Sequence, residues 1–253
     1  MIRISLGNPG SGKTANEVRE LFLNKTRRTT YTNIKMNKPK ITPHVKLLNM
    51  DMILNKELVN TVKKKGTGEE RPIYDLKLNL NFWQNINEPI NVVLDEAHTI
   101  LNSRRSTSKV NIIMGDWLAL IRRVLGSTES GMGELVFITQ LHNRIDVIAR
   151  EMALQVRFHI CHFIKTCDSC KYSWRENSET AEPERVCPAC NHHIIYKHSH
   201  QIQIWHFKGM EEYINWKMLG IKSYHACYMV TDIEKYFPLY NTLQWDNMFS
   251  EYY

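Results

Sequence analysis

The sequence lacks any apolar run that approaches the roughly 20 residues needed to span a bilayer. It also lacks room for a signal peptide, because a strand-like segment, Ile2 to Leu6, and a glycine-rich loop occupy its beginning. The chain has six cysteine residues. From these absences we expect a soluble, cytoplasmic protein that has no transmembrane segment and keeps its thiols reduced.

Acidic residues are fewer than basic ones, 26 against 33, and the formal net charge is +7 at pH 7. A basic balance favours a polyanionic partner such as nucleic acid, although charge alone does not identify one. The densest basic run, Lys63 to Lys65, lies beside two glycines and predicts a solvated loop. The length of 253 residues and the 43% hydrophobic content suit one α/β domain with a small appendage.

A complete phosphate-binding loop occupies residues 7–14, where the pattern G-x-x-x-x-G-K-[ST] is matched at every required position. The glycines let backbone N–H groups approach phosphate oxygens, Lys13 can reach the β- and γ-phosphates, and the Thr14 hydroxyl can ligate Mg²⁺. A helix predicted after the loop would direct its N-terminus at the phosphates. We therefore assign ATP binding to Gly7, Asn8, Pro9, Gly10, Ser11, Gly12, Lys13 and Thr14.

Two apolar runs end in polar residues that suit the same site. Residues 90–94 lead into Asp95 and Glu96, and residues 134–138 lead towards Gln140. Continuous apolar runs of this kind suit parallel strands buried on both faces, and ligands bind at the carboxyl ends of such strands. We expect Asp95 to hold Mg²⁺ together with the phosphate-loop threonine, and Glu96 to orient and deprotonate the attacking water.

The four residues Asp95 to His98 also match the signature of DEAH-box helicases. Those enzymes need two tandem motor domains and a longer chain than this one. We therefore interpret His98 as a local packing or polar residue rather than as part of a helicase motif.

The other segments predict strands that alternate with helices, and hence a mostly parallel sheet flanked by helices. We predict strands at 29–34 and 46–50, a helix followed by a charged loop at 55–72, and a helix at 116–125. Further along, 155–164 predicts a long strand with an antiparallel partner at 201–207.

An arginine-bearing helix followed by a buried strand that ends in Thr139 and Gln140 resembles the FtsK–HerA superfamily of DNA-pumping ATPases. In that superfamily the glutamine senses the γ-phosphate. The segment after Gln140, from Arg144 to Phe158, is similar to the corresponding region. The zonula occludens toxin (Zot) branch and the viral genome-packaging ATPases are the most similar, on the strand Tyr31 to Ile34 and the closing segment Tyr236 to Thr242.

This resemblance implies a P-loop NTPase fold of the RecA/FtsK-like type, a homo-oligomeric ring and double-stranded DNA as the partner, with a capsid or portal-like protein as a further one. It also implies that Arg122 and Arg123 face the nucleotide of a neighbouring subunit; the alternative is that they are solvated or contact DNA phosphates. Zot relatives carry a transmembrane segment after the ATPase, which this sequence lacks. That difference favours a soluble packaging or translocating ATPase of a virus or mobile element, in the host cytoplasm if viral.

Two C-x-x-C pairs, separated by sixteen residues, match the spacing of a structural zinc site. Four thiolates would close the tetrahedral shell, so the metal would be structural and not catalytic. We assign Zn²⁺ to Cys167, Cys170, Cys187 and Cys190 and predict a zinc ribbon inserted in a C-terminal β-hairpin. The predicted organisation is an ATPase core at 1–164, the ribbon at 165–198 and completion of the ATPase domain at 199–253.

The ribbon could contact either DNA or protein. Basic and aromatic residues favour a nucleic acid backbone and bases slightly; they are Lys165, Lys171, Tyr172, Trp174, Arg175 and Lys197. The remaining cysteines, Cys161 and Cys227, are expected to be buried as small hydrophobes.

Three functions fit the sequence. The first is an ATP-driven DNA motor, and the second is a Zot-like assembly or protein-remodelling ATPase that does not pump DNA. The third, a phosphoryl-transfer enzyme such as a nucleotide kinase, fits least, because no lid motif is evident and both Glu96 and Gln140 are present.

Overall fold

The computed structural model describes residues 1–24, 27–38, 40–63, 70–99, 101–102, 108–126, 132–179, 186–192 and 196–241. The side chains of residues 62–63, 71–72 and 196–199 lie outside that description. Lys64 and Lys65 of the predicted basic loop, and Thr242 of the closing segment, fall outside it as well.

The described residues form eleven strands and five α-helices. The strands are β1 (Ile2–Leu6), β2 (Thr30–Thr32), β3 (Val45–Leu47), β4 (Leu54–Lys63), β5 (Glu70–Leu78), β6 (Asn91–Leu94), β7 (Leu135–Ile138), β8 (Gln155–Cys167), β9 (Ser173–Asn177), β10 (Tyr196–Phe207) and β11 (Ala226–Val230). The helices are α1 (Lys13–Leu23), α2 (Leu80–Gln84), α3 (Lys109–Val124), α4 (Val147–Glu151) and α5 (Met210–Leu219). Short 3₁₀ segments lie at Met50–Met52, Ala97–Thr99, His142–Arg144 and Ile233–Leu239.

A nine-stranded sheet forms the centre of the molecule, in the order β11-β10-β8-β1-β7-β6-β2-β3, with β9 paired to β8. The pairs from β8 to β3 are parallel, whereas β9, β10 and β11 pair antiparallel. This confirms the predicted mostly parallel sheet. Strand β7 lies between β1 and β6, so the residues after these three strands meet at one edge.

Helices cover both faces of the sheet. On one face, α1 and the segment Ile233–Leu239 pack on Val93, Val136 and Ile204. On the other face, α2, α3 and α5 pack over a larger apolar cluster that includes Phe137. Strands β6 and β7 are buried on both sides, because each supplies side chains to both clusters.

The described part of residues 55–72 does not contain the helix that was predicted there before a charged loop, because β4 and β5 pair antiparallel. Leu54, Leu58 and Val62 recur every four residues, and this spacing imitates the apolar face of a helix. Pairing with a strand more distant in the sequence overrides that local pattern. Leu54 pairs with Leu78 at the buried base, whereas Leu58 lies 62% exposed further along the hairpin.

Strands β8 and β10 form a long antiparallel pair, as predicted, with register from Val156 and Phe207 to Cys167 and Tyr196. The segment that carries the cysteine pairs connects these strands at their far end, which agrees with an insertion in a hairpin. The boundaries at residues 164 and 198 stay predictions. Among the described residues, no helix has the length and apolar character to cross a membrane.

Candidate active site and metal centre

The phosphate loop between β1 and α1 depends on glycine at two positions. Gly7 has a φ of 151° and Gly12 a φ of 82°, values that L side chains rarely adopt. A Cβ atom on Gly7 would lie 2.6 Å from the His159 carbonyl oxygen, and one on Gly12 would lie 2.3 Å from Cδ1 of Ile202. The loop is therefore packed directly against β8 and β10. Gly12 precedes α1 with no side-chain cap, so the first N–H groups of this helix suit phosphate oxygens.

The side chain of Lys13 lies against the phosphate loop that precedes it. Its Nζ donates to the carbonyl oxygens of Gly7 at 2.8 Å and Asn8 at 3.0 Å. The side chain is buried; burial lowers the pKa of Lys13, whereas Asp95 and Glu96 raise it. The ammonium group is therefore within electrostatic range of both acids that follow β6.

Thr14 and Asp95 meet across the sheet edge, with the hydroxyl donating to Oδ2 at 2.8 Å. Adjacent oxygen ligands of octahedral Mg²⁺ lie about 3 Å apart, because each is about 2.1 Å from the ion, so this pair fits a shared Mg²⁺. Burial raises the pKa of Asp95 to about 6, and the bond from Thr14 opposes that rise. Asn33, directly after β2, donates to the Asp95 carbonyl at 2.9 Å and accepts from its N–H at 2.7 Å.

Glu96 is held by side chains from two elements. Gln140, after β7, donates to Oε1 at 3.1 Å, and Nδ1 of His98 lies 3.3 Å from Oε2. The same His98 nitrogen lies 3.2 Å from the Thr139 hydroxyl. Glu96 itself has a φ of 49°, in the left-handed region that is uncommon for a residue other than glycine. This backbone turn directs the carboxylate back towards the end of β7, where Gln140 lies.

A buried charge cluster ties the start of α1 to the sheet. Arg3 of β1 donates to both oxygens of Glu17, at 2.6 and 3.0 Å, and the Ser5 hydroxyl donates to the same carboxylate at 2.7 Å. Burial alone would raise the pKa of Glu17, but the Arg3 guanidinium lowers it to about 2. Arg157 of β8 joins through an ion pair with Glu20. The helix that carries Lys13 and Thr14 is thus fixed to two parallel strands.

A family comparison decides what kind of site this is. The sequence profile described as Zonular occludens toxin (Zot) matches residues 1–162, well over half of the chain. The chain belongs to the Zot family. The match includes the phosphate loop, Asp95, Glu96 and Gln140, and it confirms the predicted resemblance. By its fold and its family, this Zot-family chain is a P-loop NTP hydrolase.

Several solved structures are similar to the Zot-family chain. The N-terminal domain of zonular occludens toxin from Neisseria meningitidis is 17% identical, with 95% of this chain and 98% of that chain covered and a TM-score of 0.48. The genome packaging NTPase of Sulfolobus turreted icosahedral virus 2, in complex with ATP-gammaS, is 12% identical, with 62% and 74% covered and a TM-score of 0.36. The DNA-packaging ATPase from Sulfolobus Turreted Icosahedral Virus is 14% identical, with the same coverage and a TM-score of 0.33. A search of curated proteins found no match. The family assignment therefore rests on the profile.

Arg122 and Arg123 lie apart from the phosphate loop and the two acids after β6. They occupy the last turn of α3, a helix of sixteen residues and therefore about 24 Å long. Leu125, directly after this helix, accepts from the N–H of Gly133 at 2.6 Å, close to where β7 begins. Both arginines are exposed near the start of β7, at the edge of the sheet opposite the phosphate loop.

The four cysteines of the Zot-family chain meet beyond the profile match. Their sulfur atoms all lie within 4.8 Å of one another, with 3.7 Å between Cys167 and Cys190 and 3.6 Å between Cys170 and Cys187. A tetrahedral ion with bonds of about 2.3 Å places its sulfur ligands about 3.8 Å apart, so the cluster fits Zn²⁺.

Part of the segment between the two cysteine pairs forms a strand. Residues 173–177 form β9 along the outer part of β8. Lys165 does not belong to an exposed basic surface, contrary to the prediction, because it is 6% exposed and pairs with Glu176. His192 lies 3.3 Å from the carbonyl oxygen of Cys190, while His193 and the Lys197 side chain fall outside the described part.

The described residues around the cysteine pairs, 165–179 and 186–192, form what we call the cysteine module. Its exposed residues include aromatic and basic side chains. The rings of Tyr172 and Trp174 stack with centroids 6.2 Å apart and planes inclined by 17°. Lys171 and Arg175 are exposed, and Arg175 donates to Gln201 at 3.2 Å. The exposed residues that could contact DNA or protein are thus fewer than the sequence indicates.

The two other cysteines differ in exposure. Cys161 is buried, as predicted, and burial raises its pKa to about 12. Cys227 is exposed, contrary to the prediction, because it lies on β11 at the edge of the sheet.

Sequence reasoning missed Asn33 and assigned no partner to His98. Asn33 is the first residue after a strand, at the same edge as Asp95 and Gln140, and that position is the signal that could have identified it. His98 is a polar residue with local contacts, as predicted, but its contacts are Glu96 and Thr139 of the candidate site.

Proposed function

We propose that this chain is an ATP-hydrolysing DNA translocase, which packages genome DNA into a virion or moves the DNA of a mobile element. The main support for the proposal is a pair of hydrogen bonds at one edge of the sheet. Thr14 donates to Asp95, and Gln140 donates to Glu96. A metal-holding acid next to a second acid and a glutamine suits hydrolysis better than transfer to a small molecule. The net charge of +7 suits a polyanionic cargo.

Each residue has a separate role in this proposal. Lys13 would neutralise charge on the β- and γ-phosphates of ATP, and Thr14 with Asp95 would hold Mg²⁺. Bound Mg²⁺ would supply further neutralisation of the phosphate oxygens. Glu96 would take the proton of the attacking water, and Gln140 would orient that water and respond to the γ-phosphate.

In a ring of identical subunits, each subunit would supply an arginine to the nucleotide site of its neighbour. Arg122 and Arg123 are exposed at the far end of α3, where they are free to face another subunit. An arginine supplied in trans stabilises charge on the transferring phosphoryl group and can contribute roughly 10³–10⁵ in rate. The alternative, that these arginines contact DNA phosphates or solvent, is an outcome of the mixing experiment below.

The cysteine module would bind Zn²⁺ as a structural ion and contact the DNA. Its four sulfur atoms have tetrahedral spacing, and its exposed face carries Tyr172, Lys171 and Arg175. Aromatic and basic side chains together suit nucleic acid. A capsid or portal-like protein is the other partner that such a surface could dock.

ATP turnover with and without double-stranded DNA tests the main proposal, alongside the native mass. We expect duplex DNA to stimulate turnover and the native mass to exceed that of one subunit. Turnover that is equal with and without DNA would contradict translocation and favour the assembly ATPase.

Glu96→Gln tests the catalytic assignment, because it keeps the shape of the side chain and removes the base. We expect turnover to fall by roughly 10²–10⁴, as for loss of a general base, while ATP affinity is retained. Glu88→Gln, at an exposed loop position, is the matched control. If Glu96→Gln loses ATP affinity and keeps turnover, Glu96 is not the base.

Mixing an Arg123→Ala or Arg122→Ala subunit with a Lys13→Ala subunit tests the ring. Each variant supplies what the other lacks, so the mixture should recover part of the turnover. Full activity of both arginine variants, or of a monomeric preparation, would contradict a role in trans.

A further inference from the structure

The contacts of Glu96 assign a role to His98, which the sequence analysis placed near the acids without a partner. Each oxygen of the carboxylate has its own neighbour, Gln140 at 3.1 Å from Oε1 and His98 at 3.3 Å from Oε2. The Glu96 side chain is 50% exposed, so without these neighbours it would sample several rotamers. The Gln140 amide donates to one oxygen and the imidazole lies beside the other, so side chains from two parts of the chain limit the orientation of the carboxylate.

The ring nitrogen of His98 that faces Glu96 also contacts a residue at the end of β7. Its Nδ1 lies 3.2 Å from the hydroxyl of Thr139, a residue that is 1% exposed and whose N–H donates to the Ser5 carbonyl at 3.0 Å. The 3₁₀ segment Ala97–Thr99 carries His98 back over Glu96, and the Thr99 hydroxyl donates to the Glu96 carbonyl at 2.9 Å. The imidazole is therefore anchored to the buried end of β7.

The chemistry of the two partners selects one tautomer. An ionised carboxylate only accepts hydrogen bonds, whereas the Thr139 hydroxyl can donate or accept. A bond to Glu96 thus requires the proton of His98 on Nδ1. Burial lowers the pKa of His98, Arg144 and Lys13 lower it further, and Glu96 opposes them, so the neutral ring is favoured.

We propose that His98 is a positioning residue for Glu96: its Nδ1–H and the Gln140 amide hold the carboxylate in the orientation that suits proton abstraction from water. A base that is oriented by a third group is a recurrent arrangement in catalytic sites. This inference rests on the proposed function, because it requires Glu96 to act as the general base.

Three substitutions of His98 separate positioning from packing. Asparagine places its amide N–H where Nδ1–H lies, whereas glutamine places it further out, near the position of Nε2, and alanine removes the donor. The loss of one charged hydrogen bond corresponds to roughly a tenfold effect. We expect His98→Ala and His98→Gln to lower kcat about tenfold with the KM for ATP unchanged, and His98→Asn to recover most of it.

The decisive measurement repeats His98→Ala in the Glu96→Gln background. The positioning role predicts no further decrease of the residual turnover there, because no base remains to be oriented. His225→Ala, at an exposed histidine, controls for loss of an imidazole, and thermal unfolding midpoints control for folding.

Three results would overturn the inference. They are a decrease of turnover that is equal in the wild-type and Glu96→Gln backgrounds, a kcat that His98→Ala leaves unchanged, and a rise in KM with kcat retained.

All assays are run without DNA and repeated with duplex DNA. A wild-type chain that hydrolyses ATP without responding to DNA contradicts translocation and leaves the role of His98 standing. A wild-type chain without turnover overturns both.

Discussion

The nucleotide site and the cysteine cluster are assembled by different forces. Thr14 follows β1 through the phosphate loop, and Asp95 and Gln140 follow β6 and β7. The apolar side chains of these strands are almost fully buried, so the packed core brings the three residues together. The cysteine cluster lies at the far end of β8 and β10, where four sulfur atoms converge at the spacing of a tetrahedral ion. Burial assembles the first, and we propose that a bound metal assembles the second.

This difference predicts whether a change in each region affects the chemistry or the fold. A substitution at the sheet edge should change chemistry and leave the fold, because the core positions the backbone independently of the side chain. Loss of the metal should change the local fold and leave the chemistry of the sheet edge. Each of the following predictions tests one side of that contrast.

The largest effect is expected from Lys13→Ala. The substitution removes the cation that would lie on the phosphates, and we expect ATP turnover to fall at least ~100-fold, the scale of losing one preorganised charge-stabilising donor. Turnover and thermal unfolding are measured together, and the unfolding midpoint should change little. Lys208→Ala, at an exposed lysine after β10, serves as the control. Retention of full turnover would remove Lys13 from the site.

Cys170→Ser should abolish metal binding and disrupt the module while the core stays folded. Metal analysis of freshly purified, reduced protein should find one zinc per wild-type chain and none in this variant. Hydrogen exchange should rise in residues 165–179 and remain unchanged in β1, β6 and β7. Cys227→Ser changes an exposed cysteine outside the cluster and should keep the zinc. A wild-type protein without zinc would contradict the assignment.

Asn33→Ala should affect the site less than the preceding changes. It removes both hydrogen bonds to the Asp95 backbone, at 2.9 and 2.7 Å, and leaves every proposed catalytic group in place. We expect turnover to fall roughly tenfold, the scale of one or two neutral hydrogen bonds, with a higher Mg²⁺ requirement. Mg²⁺ titration of turnover measures this, with Asn55→Ala on β4 as the control. Unchanged Mg²⁺ dependence would mean that the core alone positions Asp95.

The smallest effect concerns the support beneath the phosphate loop. Burial lowers the pKa of His159 to about 3, and its Nδ1 lies 3.2 Å from the Leu6 carbonyl. The folded state therefore binds fewer protons than the unfolded state between about pH 3 and 6.5, and stability falls as the pH is lowered through this range. One such group changes the free energy of unfolding by at most about 1.4 kcal/mol per pH unit.

His206 contributes with the same sign, because burial lowers its pKa to about 4. Urea unfolding of the wild type and of His159→Gln, at several values between pH 4.5 and 6.5, measures the part that belongs to His159. The variant should show a shallower dependence on pH. Equal slopes in the two proteins would show that His159 does not contribute.

The limits of sequence reasoning are visible in particular residues. The helix predicted at 55–72 is wrong because Leu54 and Leu58 imitate helical spacing, while the strand that pairs with them begins at Glu70. Lys165 was expected on a basic surface, yet its partner Glu176 lies on β9, a strand that the polar composition of the segment did not indicate. In both cases the decisive contact is with a residue that local periodicity does not include.

The sequence by itself determined the phosphate loop, the paired acids after an apolar run, the two C-x-x-C pairs and the membership of the Zot family. These features are contiguous, so a short window of residue types carries them. Only the tertiary structure decided that β7 lies between β1 and β6, that Asn33 reaches the backbone of Asp95, and that His98 joins Glu96 to Thr139. Those contacts join residues far apart in the chain, and they depend on strand order and register, which only the packing of the whole sheet establishes.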